Sequence, residues 1–226
     1  MINTYTFIGR LRYSAALRLI PLILAALAWS STAFCGEIHD AVREGDLEKV
    51  RALLRSHAAL VFTKDKDGAT PLHYAAAYGR KEVAELLLAS DADIEAKTNE
   101  GTTPLQAAAA GGRTAVVELL LANKAKVDAT NKRDATALHW AALKGYADIV
   151  KLLLANKADV NIRTSDGATP LLMAAEGGYR DVAELLLAAK ARVNAKDDEG
   201  HTPLNWAIHN NHLDVAELLR QAGGFE

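Results

Sequence analysis

Apolar positions in this chain fall into two short blocks that recur at one fixed spacing. The first block reads DGATPLHYAAAYG from Asp67. It returns as EGTTPLQAAAAGG from Glu100, RDATALHWAALKG from Arg133, DGATPLLMAAEGG from Asp166 and EGHTPLNWAIHNN from Glu199. The second block reads EVAELLL from Glu82. It returns from Ala115, Asp148 and Asp181, and as DVAELLR from Asp214. Val83, Leu86 and Leu87 share one stripe of a helix, as a core-facing helix requires. Thr70 stands where its hydroxyl can take an orphan N–H at a helix start. Pro71 follows at the first helical position, where a missing N–H costs nothing. Gly79 permits the tight turn between the two helices. Each unit is therefore expected to be a helix–turn–helix. Asp67-Gly68 is a hairpin-turn pair, so the loops between units are expected to project as β-hairpin fingers.

One such unit cannot bury its apolar face alone, and stacking buries it continuously. Five copies hold register without a gap. A sixth, Ile38 to Leu54, matches the helical half, with Ala41 in the column of Ala75 and Gly45 in that of Gly79. There Asp40, Arg43 and Glu44 replace small or apolar residues, as a solvent-facing end needs. At the other end Arg220 takes the column of Leu88, Leu121, Leu154 and Leu187. A period of about 33 residues with a T-P-L-H box is the ankyrin signature, and residues 37–226 resemble the ankyrin-repeat family. The resemblance implies an all-α repeat solenoid of about six units. These are an N-terminal capping repeat over 37–66, repeats over 67–99, 100–132, 133–165 and 166–198, and a C-terminal capping repeat over 199–226.

Two columns depart from the family pattern. Unit four has Asp134 in a glycine column and Ala137 in the proline column, so its turn and helix start are expected to be the least well specified. The glycine usual after the second helix is replaced by Asp91, Lys124, Lys157 and Lys190. If the left-handed geometry is kept, each costs about 1 kcal/mol relative to glycine.

Residues 1–35 follow another rule. Arginines end at Arg18, an apolar run spans Leu19 to Trp29, and small residues follow. That order is the secretory signal pattern. The run is interrupted by Pro21 and falls short of the roughly 20 residues of a spanning helix. Cleavage is expected near 33–35, after Ala33 or after Cys35. The expected product is an exported, bacterial-type ankyrin protein, periplasmic or secreted. An uncleaved signal would instead anchor it in the membrane.

Composition narrows the partner. Half the residues are hydrophobic but only 6% are aromatic, which suits a core of Ala, Leu and Val. The net charge of −2 includes three arginines of the leader, so the remainder is more acidic, against nucleic acid as partner. The single cysteine, Cys35, allows no intramolecular disulfide. Nucleophile elbow, phosphate loop and HExxH are absent, so neither an enzyme nor a cofactor is expected. His73 and His139 lie in the T-P-L-H box, where the family ties the loop to Thr. His209 and His212 are three apart, but two imidazoles without a third ligand are weak evidence for zinc.

The resemblance also implies a function. Ankyrin proteins bind partner proteins through finger tips and the exposed face of the first helices. Here those columns hold Lys66, Asp67, Tyr78, Asn99, Glu100, Lys132, Arg133, Leu143, Lys144, Arg163, Glu176, Asp198 and His201. Tyr78 and Leu143 are expected to contact the partner, whereas Trp140 and Trp206 are expected to half-bury against their own fingers. The expectation is a monomeric module that binds a protein. A membrane-anchored envelope scaffold or inhibitor is the second reading. A metal-binding or hydrolytic protein using the region of His209 and His212 is the third.

Overall fold

The computed structural model describes residues 36–225. Among them the elements are helices joined by turns, with no strand. The first pair is α1 (36–44) and α2 (Leu47–Ser56). A 3₁₀ turn, Ala58–Phe62, follows and buries Leu60 and Val61. Then come α3 (Pro71–Tyr78) and α4 (Lys81–Ala89), α5 (Pro104–Ala110) and α6 (Thr114–Ala122), and α7 (Ala137–Leu143) and α8 (Ala147–Ala155). The series ends with α9 (Pro170–Gly177) and α10 (Arg180–Ala188), and α11 (Pro203–His209) and α12 (Leu213–Gln221). First helices pack on first helices and second helices on second.

The first-helix row is the more closely packed of the two. Its Ala pairs explain this. Ala75, Ala76, Ala108, Ala109, Ala141, Ala142, Ala174 and Ala175 are all buried, and a methyl group lets backbones approach. The row of α3, α5, α7, α9 and α11 is therefore the inner side of a curved array. Second helices contribute Val83, Leu87, Val117, Leu120, Val150, Leu153, Leu186, Val215 and Leu219 to one continuous core.

The fingers are shorter than expected. Asp65 N donates to Ala69 O at 3.0 Å and Gly68 N to Asp65 O at 3.0 Å. That closes one tight turn and leaves no length for a strand ladder. Instead each finger is joined to the next by a single backbone bond: Asn99 N to Asp67 O, Lys132 N to Glu100 O, Ser165 N to Arg133 O and Asp198 N to Asp166 O. The expected hairpins are thus a stack of turns.

Unit four keeps the common turn. Asp134 adopts φ 55°, which Asp tolerates better than most residues. Asn131 Oδ1 accepts from Arg133 N and Ala135 N at 2.9 and 3.1 Å and fixes the loop. Helix α7 still starts at Ala137 without proline. Asp91, Lys124, Lys157 and Lys190 do adopt the left-handed conformation, with φ between 64° and 68°. Asn123 Nδ2 and Asn156 Nδ2 donate to Leu119 O and Leu152 O and hold two of these turns.

Candidate protein-binding face

Three further ladders make the stack rigid. The first runs from the third position of each first helix to the next finger. His39 Nε2 meets Ala69 O at 3.1 Å, His73 Nε2 meets Thr102 O at 2.9 Å and His139 Nε2 meets Ala168 O at 3.3 Å. Gln106 replaces His in unit three and donates to both Ala129 O and Ala135 O at 2.7 Å. In His73, His139 and Gln106 the other end accepts from the helix start. Thr70 N donates to His73 Nδ1, Thr136 N to His139 Nδ1 and Thr103 N to Gln106 Oε1. An Nδ1 that accepts leaves Nε2 as the protonated nitrogen of a neutral ring. Burial lowers the pKa of His73, and it pushes that of His139 down to about 4. These histidines are therefore neutral ties within the scaffold. Leu172 breaks the column in unit five; it is buried and carries no polar group.

The second ladder runs backward, from the start of each second helix to the preceding unit's inter-helix turn. Arg80 Nε donates to Arg43 O and Arg113 Nε to Ala77 O. Tyr146 packs on Gly112 and Tyr179 on Gly145. His212 Nε2 lies 3.0 Å from Glu176 O and its ring covers Gly178. His212 is thus committed to the unit before it, whereas His209 packs edge-on against Trp206 with centroids 6.0 Å apart. The two imidazoles engage different neighbours, and no cluster of three or more metal-ligating side chains occurs among the described residues.

The third ladder follows the second helices. Glu95 Oε1 accepts from Lys126 N, Asp128 Oδ1 from Asp159 N, Asn161 Oδ1 from Arg192 N and Asn194 Oδ1 from Phe225 N. Burial raises the Asp128 pKa, and the Asp159 charge adds to it.

Against this frame the expected binding residues separate into two groups. Asn99 and Arg163 are engaged within the scaffold. Asn99 Nδ2 donates to Lys66 O at 3.0 Å. Arg163 donates to Lys196 O at 2.7 Å and pairs with Asp198 at 3.1 Å. Lys64 and Lys97 make the same forward reach, to Lys97 O and Thr130 O. The side chains of Lys66, Asp67, Glu100, Lys132, Arg133, Lys144, Glu176 and His201 are exposed. Arg133 faces the Asp166 carboxylate closely enough to help lower its pKa, behind the larger effect of the Thr164 hydroxyl. Leu143 is only half-buried, and Tyr78 is 46% exposed.

Tyr78 is not isolated. Its ring stacks on Tyr74, centroids 6.2 Å apart, and His39 meets Tyr74 edge-on at 5.0 Å. The Tyr74 hydroxyl donates to Asp65 Oδ2 at 2.8 Å. Burial and this bond raise the Tyr74 pKa to about 12. Asp65 is held below the usual carboxylate range. Burial opposes its charge, but the Tyr74 hydroxyl and the N–H groups of Ala69 and Asp67 outweigh it. His39 was not singled out in the sequence, although the match of Ala41 to Ala75 puts it in the column of His73.

Comparison with known proteins agrees with this architecture. The family model for ankyrin repeats matches three times, over residues 38–98, 91–164 and 138–225. Ankyrin repeat domain-containing protein 13C-A of Xenopus laevis is 44% identical over 57 residues, 25% of this chain and 11% of that protein. Ankyrin repeat domain-containing protein 13C of Homo sapiens is 42% identical over 57 residues, 25% of this chain and 10% of that protein. A transient receptor potential cation channel subfamily A member 1 homolog of Caenorhabditis elegans is 40% identical over 55 residues, 24% of this chain and 4% of that protein. The chain thus spans about a tenth or less of the relatives it matches. The likeness covers the repeats and not the whole proteins, and ankyrin repeats are in general protein–protein interaction modules. With the family model covering most of its length and the helical pairs stacked in a single row, this chain belongs to the ankyrin-repeat family.

Proposed function

We propose that this chain is an exported, monomeric ankyrin module that binds a partner protein through its inner face and finger tips, without catalysis. The observation that carries the reading is Tyr78, which is 46% exposed on the first-helix row. An aromatic ring held by stacking on Tyr74 loses little entropy when a partner covers it, and tyrosine is enriched among binding hot spots. The ladders leave the frame preorganised for the same reason. Exposed charges of both signs on the fingers, among them Lys66, Asp67, Glu100, Lys132 and Arg133, supply orientation more than affinity.

Export rests on the sequence of residues 1–35, which lie outside the described residues. No helix among the described residues is long and apolar enough to cross a membrane. The test of the binding face is capture of partner protein from the source organism's extract on immobilised chain, Tyr78→Ala and Leu143→Ala. Tyr78→Ala is expected to lose most of the captured protein. Equal recovery on all three columns would overturn the assignment of this face.

A further inference from the structure

The inner face carries its apolar groups in the middle of the row. Unit two presents Tyr74 and Tyr78 there, unit three only Ala107 and Ala110, and unit four Trp140 and Leu143. Tyr78 is exposed and the other five are half-buried. Unit three carries no side chain longer than a methyl at these positions, so a recess lies between the ring pair of unit two and Leu143. Polar residues close both ends. Asp40 and Arg43 pair at 2.7 Å in unit one, and Glu176 is exposed in unit five. An apolar centre inside a polar rim is the anatomy of a protein interface.

Two further observations say what fits this surface. The first is charge. On the turn side of the stretch stand Arg80, Arg113 and Lys144, and no acid occurs in the turns over 78–81, 111–114 and 144–147. Arg80 and Arg113 spend Nε on Arg43 O and Ala77 O. Among the described residues none of the three forms an ion pair. The finger side of the same units is mixed, with Lys66, Lys132 and Arg133 beside Asp67, Glu100 and Asp134. The second observation is the backbone. Asp67 O, Glu100 O and Arg133 O are taken by the next finger and Ala77 O by Arg113, while the first helices bond within themselves. An extended chain laid here would bury N–H and C=O groups against rings and methyls with nothing to pair them. A helix brings its backbone bonds with it.

We infer that the inner face of units two to four receives an amphipathic α-helix of the partner protein. The helix lies along the row, with one bulky apolar side chain in the recess over Ala107 and Ala110. Aspartate or glutamate lines the edge that meets Arg113 and Lys144. Packed helices stand about 8–10 Å apart, so two steps along the row span about 16–20 Å. Roughly 11–13 helical residues cover that distance at about 1.5 Å each. Apolar residues recurring every three or four positions then meet Tyr78, the recess and Leu143 in turn. The inference rests on the proposed protein-binding reading and gives the partner a shape and a charge.

The test selects a random library of displayed peptides, each about 16 residues long, on the immobilised full chain. Peptides that also bind Tyr78→Ala are removed first. Survivors are expected to carry apolar residues at helical period and more Asp and Glu than Lys and Arg. A survivor is expected to gain helical circular dichroism on binding, and Lys144→Gln to weaken it about threefold. Lys144 is exposed, so that variant keeps the fold, which an unchanged urea midpoint verifies. Survivors with apolar residues at alternate positions, or with a basic excess, would overturn the inference. So would the absence of survivors, or full binding by Lys144→Gln. If extract capture still falls with Tyr78→Ala in those cases, the face binds a partner of another shape, so the two readings fail separately.

Discussion

Trp206 donates its indole N–H to Asp197, nine residues earlier, at 2.8 Å. Tyr74 does the same with its hydroxyl to Asp65, also nine residues earlier and at 2.8 Å. Trp140 occupies the same column, and Asn131 stands before it where Asp65 and Asp197 stand in the other two units. Asn131 spends Oδ1 on the N–H groups of Arg133 and Ala135, and Trp140 Nε1 is buried without a partner. An amide offers one oxygen where a carboxylate offers two, and its other end is itself a donor.

Asn131→Asp is therefore expected to stabilise the chain. The variant keeps the loop acceptor and adds a second oxygen for Trp140. Relieving one unsatisfied buried donor is worth about 1 kcal/mol. Urea unfolding would read this as a higher midpoint at unchanged slope. The gain should disappear when Asn131→Asp is made beside Trp140→Phe, which has no indole N–H. A gain that survives in that background would place its origin elsewhere.

The inter-helix turns give a second prediction. Gly145 has φ 72° and lies under the Tyr179 ring of the next unit, so a Cβ there would run into that ring. Gly200 has φ 88° but nothing lies within 4 Å of its Cβ position. Both alanine variants carry the left-handed penalty of about 1 kcal/mol. Gly145→Ala also displaces a side chain that joins two units, for a total of about 2–3 kcal/mol. Denaturation midpoints of the two variants isolate the contact by difference. Equal losses would show that backbone geometry alone fixes the Gly145 column.

These examples show what the sequence could and could not disclose. Helix starts at Thr70-Pro71 and Thr103-Pro104 were legible because a cap and its helix are local. The left-handed Lys124 and Lys157 were legible because repetition exposes a column by its exceptions. The hairpin expected at Asp67-Gly68 failed because that pair specifies a turn and not the strand length around it. Arg113 reaches Ala77 O and Asn161 reaches Arg192 N, each across more than one turn of the chain and into a neighbouring unit. Such bonds exist only once the units stack, so no local pattern announces them. Arg163 illustrates this: the sequence shows a finger cation, and only the stacked units show that it reaches Lys196 O and Asp198 of the neighbouring finger.

The histidine column predicts how stability depends on pH. His139 is neutral in the folded chain, with its pKa pushed down by burial to about 4 from an ordinary 6.5. The unfolded chain therefore takes up a proton below about pH 6.5 that the folded chain refuses until about pH 4. Stability from this residue is complete above about pH 6.5 and falls as pH drops through that window. The loss levels off near pH 4 at roughly 3 kcal/mol. His73, lowered for the same reason, adds to the slope. Asp65 and Asp166 are held below the usual carboxylate range, so their losses begin at lower pH. Gln106 already shows that an amide makes both bonds of this column. His139→Gln should then fold at neutral pH and lose less stability on acidification, by about 2 kcal/mol at pH 5. Urea unfolding of both proteins between about pH 7.5 and pH 4.5 measures the difference. Parallel pH profiles would mean that His139 is protonated equally easily in the folded and unfolded chains, and that the neutral tie to Ala168 does not hold.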